Sequence, residues 1–192
     1  MDIAATIKTD REMLRRSVIF LLTTGEEEGH LGSRYFARHP TVPVDSLVAD
    51  INVDMFLPIV PMKIPVIGGL EDSDLGASAA EVAEYMGAKP IADPEPLRNV
   101  FIRSDQYSFV RIGVPAVKVD IGFEPGTPKQ QIMKDWLAKR YHAPSDDIKQ
   151  PVDLGSAGRY EQFTERLLIA TANRAQRPNW KPDSFFRRYE AK

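Results

Sequence analysis

Val18-Ile-Phe-Leu-Leu-Thr-Thr-Gly-Glu-Glu-Glu-Gly-His-Leu-Gly-Ser33 carries both the strongest strand signal in this chain and its densest group of carboxylates. From Ser17 to Thr23 the run is uncharged and rich in strand formers. Such a run predicts a strand buried on both faces, as in a parallel sheet, although periodicity alone leaves a buried helix open. Behind it, Glu26, Glu27 and Glu28 sit between Gly25 and Gly29, where a short helix is predicted over Gly29–Arg38 and stopped by His39-Pro40. Adjacent carboxylates repel one another. They persist either as a solvated turn or around a neutralising cation.

Downstream, Leu47–Asp54 alternates, with Ile51 and Val53 on one face and Asp50, Asn52 and Asp54 on the other, which predicts a second strand. Ile64–Ile67 is a further strand candidate before the turn Gly68-Gly69. Leu75, Ala79, Val82, Ala83 and Met86 recur at helical spacing, with Ser73 placed to cap and Gly87 to stop. The remaining pattern predicts helices over Ala4–Arg16, Asp105–Ile112 and Pro128–Arg140, and a strand over Ala116–Ile121. The stripe Tyr160, Phe163, Leu167, Ala170 marks a last long helix. In the tail, Trp180, Phe185 and Phe186 are expected to anchor the basic segment Arg177–Lys192. Strands alternating with helices specify a layered α/β domain, with chemistry at the carboxyl ends of its strands.

Composition narrows the function classes. The 192 residues are 43% hydrophobic and 27% charged, enough for one domain with a substantial core. With 25 basic against 27 acidic residues there is no electrostatic footprint for nucleic acid. The chain has no cysteine, so a metal site would draw on carboxylate, imidazole and water. Val18–Leu22, the longest apolar run, is far too short to span a bilayer. Met1-Asp2 does not open a signal-peptide pattern. The 15 prolines predict ordered, irregular connections.

Two further places combine polar side chains with strand or turn ends. Asp54 closes the strand Ala49–Asp54, where an aspartate caps a turn or faces a ligand. Tyr141-His-Ala-Pro-Ser-Asp146 sets a histidine beside an aromatic ring, as a structural residue or as a metal ligand. In the second case Asp146 is close enough in sequence to accept the other ring N–H.

Taken in order, these elements resemble the M28 metallopeptidases. The resemblance rests on Val18–Ser33, on Ile51-Asn-Val-Asp-Met55, on Arg103-Ser-Asp-Gln-Tyr-Ser-Phe109 before Gly113-Val-Pro-Ala116, and on Tyr141-His-Ala-Pro-Ser-Asp-Asp147. It implies a three-layer αβα domain with a mixed, mostly parallel sheet, truncated at its amino-terminal side, with residues 1–192 forming part of the catalytic domain. By position, Glu26 matches the family's general base, Glu27 a zinc ligand, Asp54 the ligand of a second zinc and His142 the late histidine ligand. Asp105, Tyr141 and Asp146 take supporting places. Glu28 matches a variable residue, His30 lies beside the site without binding metal, and His39 is structural. The implied reaction is zinc-dependent removal of the amino end of a peptide.

One departure from the family pattern shapes the expectation. Family members carry a His-x-Asp element and a metal-bridging aspartate upstream of the Glu-Glu strand, and neither occurs here. Weak or absent zinc binding and impaired peptidase activity are therefore expected, the alternative being a non-catalytic remnant or interaction module. A related single-metal acyltransferase of the glutaminyl-cyclase type ranks behind both. Early strands missing from the sheet would leave an exposed edge open to self-association or to pairing with another chain. The compartment is left open: the chain has no address, and family members are often exported.

Overall fold

The computed structural model describes residues 2–9 and 14–190. Its centre is β3 (Ala116–Gly122), which pairs in parallel with β1 (Asp50–Asn52) and antiparallel with β2 (Ile64–Gly68), giving a mixed sheet of order β1-β3-β2. The register sets Asp50 opposite Ala116, Asn52 opposite Lys118 and Ile67 opposite Val119. A strand with neighbours on both sides and layers on both faces should be largely apolar along its length and tolerate polar groups only if they are paired. β3 follows that rule. Val117, Val119 and Ile121 enter the main core, while Lys118 on the opposite face donates from Nζ to Asp120 Oδ1 at 2.6 Å.

Helices α3 (Asp74–Tyr85) and α6 (Leu154–Asn173) pack on each other and, with the strands, form the main core. Leu75, Ala79 and Ala83 from α3 meet Tyr160, Phe163 and Leu167 from α6. Tyr160 brings a polar tip into this core and donates to Val119 O at 2.8 Å, which satisfies the hydroxyl; burial also pushes its pKa up. On the other face, α4 (Gln106–Val110) packs against β1 and β3, and α2 (Leu31–Arg38) packs behind α4. The result is helix, sheet and helix layers, as expected for an α/β domain of this kind. Helices α1 (Asp2–Thr9) and α5 (Pro128–Lys139) complete the described elements of this type.

Several expectations change in detail. Residues 10–13 of the helix predicted over Ala4–Arg16 lie outside the described residues, and residues 14–16 are not helical. The strand predicted over Ser17–Thr23 has no ladder partner among the described residues, and most of its apolar side chains face solvent. Strand formers specify extended backbone, but a strand needs a hydrogen-bonding neighbour. The strand predicted over Leu47–Asp54 shortens to β1, the part in register with β3. Ser73 occupies the N-cap of α3, yet its Oγ is buried without a partner. The tail takes over that end instead: Asp74 N donates to Asn179 O at 3.0 Å, and Asn179 N donates to Asp74 Oδ2 at 3.1 Å.

In the tail, Trp180 is buried and donates from Nε1 to Gly113 O at 2.9 Å, and Phe186 packs on it and on Phe101. Phe185 is not an anchor. It is 56% exposed, with the Arg188 guanidinium 3.5 Å above its ring.

A close approach at the start of α3 makes a sharp prediction. A Cβ added at Gly76 would lie 2.1 Å from the carbonyl oxygen of Leu70, a backbone atom that cannot swing away. Gly76→Ala is therefore expected to destabilise the fold by about 1–3 kcal/mol, the usual cost of overpacking. Helix propensity alone predicts the opposite sign, since Ala is favoured over Gly by roughly 1 kcal/mol. Urea denaturation distinguishes the two, and a stabilised Gly76→Ala protein would refute the close contact.

Candidate active site

The turn after Thr24 is held by backbone hydrogen bonds that fold Glu26 and Glu27 back over the start of α2. Leu31 N donates to Gly25 O, Gly32 N to Thr24 O, and His30 N to Glu26 O. Gly32 lets this packing happen, because a Cβ there would meet Thr24 N at 2.7 Å. Across the molecule, the turn after α5 delivers His142. Its Nε2 lies 2.6 Å from Glu27 Oε1, although the two residues are 115 apart in sequence. The pair is open to water, with the histidine side chain 52% and the glutamate side chain 65% exposed. An exposed polar contact of this kind contributes only about 0–1 kcal/mol to stability. It is therefore a consequence of how the fold places these two loops, and not what holds the loops in place.

Glu26 sits deeper, with its side chain 26% exposed. Burial pushes its pKa up, and the negative charges of Asp54, Glu27 and Asp105 add to the rise, while His30, 3.6 Å away, opposes it. Glu27, Glu26 and Asp54 also act on Tyr141, whose pKa is raised first by burial and then by these charges, with Arg103 opposing. Tyr141 stacks on the His142 ring with centroids 3.9 Å apart and leans on Trp136, which fixes the face the imidazole presents. The structure therefore brings Glu26, Glu27, Asp54, Tyr141 and His142 into one electrostatic neighbourhood.

Asp54 is held from beneath by a chain of side chains that sequence reading had not assigned. Gln106 Oε1 and Ser104 Oγ both accept from Asn52 Nδ2, at 2.6 and 2.9 Å, and Ser104 Oγ donates to Asp54 Oδ2 at 2.6 Å. With both amide hydrogens of Asn52 used, the Ser104 hydroxyl can only donate onward, which aims one oxygen of Asp54. Asn52 alternates with the strand's apolar positions and Ser104 precedes Asp105, but nothing in their spacing showed that they meet. Asp105 accepts from Thr23 Oγ1 at 2.6 Å through Oδ2, and its Oδ1 is buried without a partner.

Asp146 does not take the place expected of it. Its carboxylate accepts from Gln150 Nε2 at 3.0 Å, a neighbour on the same turn, and not from His142. His142 itself adopts a left-handed backbone (φ 56°), which turns its ring toward Glu27. Left-handed backbone at non-glycine residues is uncommon and strained. Three of the four cases among the described residues are His30, Met55 and His142, all in or beside the candidate site. His39 packs on Tyr35, in keeping with a structural role.

As a zinc site, the donors match in kind and fall short in number. Glu27 and His142 offer one oxygen and one nitrogen that face each other, but among the described residues no group of three potential ligands converges. Catalytic zinc is ordinarily held by three protein ligands. No hydrolytic step is therefore assigned to an ion held by these residues alone.

The helix, sheet and helix layers define an α/β protein with an aminopeptidase-like fold. The chain belongs to peptidase family M28, whose model matches residues 1–168. Among solved structures it is similar to the aminopeptidase from Aneurinibacillus sp. strain AM-1, with 19% identity and a TM-score of 0.50. That alignment covers 83% of this chain and 34% of the other, so the chain spans about a third of the length of that relative. At this identity the likeness speaks for the fold. No curated protein matches the chain.

Proposed function

We propose that this chain carries the Glu26, Glu27, Asp54 and His142 side of an M28 peptidase centre, acting on the amino end of a peptide. In this reading Glu26 is the proton acceptor, and Glu27, Asp54 and His142 stand at the family's zinc-facing positions, a set that needs donors beyond the described residues to hold the metal the family generally uses. The observation that carries the reading is the contact between Glu27 and His142, two loops that share no secondary structure. What the chain's own residues supply is a carboxylate at Glu26, its pKa raised by burial and by the neighbouring carboxylates, and an imidazole stacked on Tyr141. A second reading, a non-catalytic module that keeps the fold, is favoured by the shortage of converging ligands among the described residues.

Zinc analysis of the purified protein, paired with hydrolysis of a chromogenic amino-acid amide, separates the two. The peptidase reading expects bound zinc that His142→Ala weakens by about tenfold or more, a loss of roughly 1.4 kcal/mol. It also expects hydrolysis that Glu26→Gln removes while zinc stays bound. Protein that remains metal-free in excess zinc and inert toward the amide overturns that reading and establishes the module.

A further inference from the structure

A second concavity lies at the opposite end of the sheet from the candidate active site. β2 runs antiparallel to β3, so its last residue, Gly68, lies toward the amino end of β3, whereas Asp54 follows the carboxyl end of β1, which runs parallel to β3. The cleft there has a volume of about 220 Å³, and none of its lining residues belongs to the candidate active site. Its walls are apolar: Leu70, Ile102 and the rings of Phe101 and Phe186, whose centroids are 5.3 Å apart. Gly68 and Gly69 also line it. A Cβ on either would come within 2.9 and 3.0 Å of the Phe101 ring, so only bare backbone lets that ring lie against this strand end.

The charged part of the lining has one sign. Glu71, Asp72 and Asp93 contribute three carboxylates, and no lysine, arginine or histidine lines the cleft. Among the described residues none of the three takes part in an ion pair. Asp93 Oδ1 accepts from Glu95 N at 2.8 Å and Asp72 Oδ1 from Ser184 Oγ at 2.7 Å, which leaves an oxygen of each available. Burial raises the pKa of Asp72; Ser184 opposes the rise, Glu71 and Asp183 add to it, and Lys181 opposes it.

This lining selects among ligands. An anion is repelled. A bare metal ion gains nothing from two rings, and among the described residues no group of three potential metal ligands converges. A neutral apolar molecule fits the walls but strips water from the carboxylates without replacing it. A cation with an apolar body satisfies both parts, its body against Phe101 and Phe186 and its charge among the carboxylates and near the ring faces. The size agrees, since a cavity of roughly 150 Å³ takes one benzene molecule.

We propose that this cleft is a binding site for a small organic cation, an ammonium group carried on an apolar ring or short chain. The site is independent of the peptidase reading.

Calorimetric titration with benzylammonium tests it. The expected result is saturable binding that weakens with added salt. The dissociation constant should rise about fivefold or more in the double variant Glu71→Gln/Asp93→Asn, the scale of partly exposed charge contacts. Benzyl alcohol, with the same ring and no charge, and benzoate, with the opposite charge, should each bind at least about fivefold more weakly than benzylammonium. Ala92→Lys, at an exposed lining position, supplies the protein's own ammonium and should abolish binding. Both variants should keep the far-ultraviolet circular dichroism of the parent, which separates loss of the site from loss of the fold. Because the candidate active site is also acidic, Glu27→Gln serves as a control of location and should leave the binding as it is. No saturable binding, equal affinity for benzyl alcohol, or binding that survives in both cleft variants overturns the proposal. So does binding lost in Glu27→Gln, which would put the amine in the candidate active site.

Discussion

Phe163→Ala is expected to cost about 3–5 kcal/mol, the range for truncating a fully buried aromatic side chain. Phe163 is 1% exposed and lies on α6 in the cluster that also contains Leu75 and Ala79 of α3 and Val117 and Val119 of β3. Removing the ring deletes apolar burial and leaves a cavity bounded by three elements, none of which can close alone around the gap. For a chain of this size that loss corresponds to a fall in melting temperature of roughly 6–20 °C. Phe185→Ala is the matched control. It deletes the same ring from a half-exposed site and should fall within about 0.5 kcal/mol of the parent if its contact with Arg188 contributes little. Equilibrium urea unfolding of both variants decides the matter. A Phe163→Ala loss below about 1 kcal/mol would mean that α6 does not seat in the sheet as described.

The second large effect is electrostatic. Asp50 on β1 has a sealed carboxylate oxygen without a hydrogen-bond partner, and burial, then the charge of Asp105, pushes its pKa up from 3.8 to about 7. In the folded protein this carboxyl therefore keeps its proton through a pH range in which the unfolded chain has released it. Between about pH 4 and pH 7 the native state binds more protons than the unfolded state, so stability falls as pH rises. The penalty is absent below the unfolded pKa and complete above the folded one. At 1.36 kcal/mol per pKa unit, the three or so units set a ceiling of about 4 kcal/mol. Asp50→Asn keeps the shape and removes the titration. Relative to the parent, it should gain stability steadily from pH 4 to pH 7 and hold that gain at pH 8. Other raised carboxyls, such as Asp72 and Asp120, titrate in both proteins and cancel in the difference. Unfolding free energies at pH 4.5 and pH 8 provide the comparison, and a difference between parent and variant that does not change with pH would show that Asp50 ionises freely.

How much of this protein was legible in its residues varies with the range of the interaction. The apolar stripe of α6, the period of α3, the run of β3 and the helix stop at His39-Pro40 are local patterns, and each produced the element it predicts. Ser17–Thr23 shows the limit of the same logic. Its residues specify an extended backbone, yet whether that becomes a strand depends on a neighbour, which is not a property of the segment. Ser73 and Phe185 fail for a related reason. A capping residue can be displaced by a tail that arrives from elsewhere, and an aromatic residue anchors only if a pocket awaits it.

At the site, the sequence alone determined the chemical inventory: a triple glutamate after a strand-forming run, an aspartate at the end of another, a histidine beside a tyrosine, and no thiol. It also determined the order that marks the family. Only the tertiary structure decided that Glu27 touches His142 and that Asp146 turns away to Gln150. It alone showed that Ser104 and Asn52 aim Asp54, and that Asp50 is sealed beside Asp105. Backbone propensity acts over a few residues, whereas carboxylate pKa values and side-chain partners depend on which loops the packed layers carry within a few ångströms of one another.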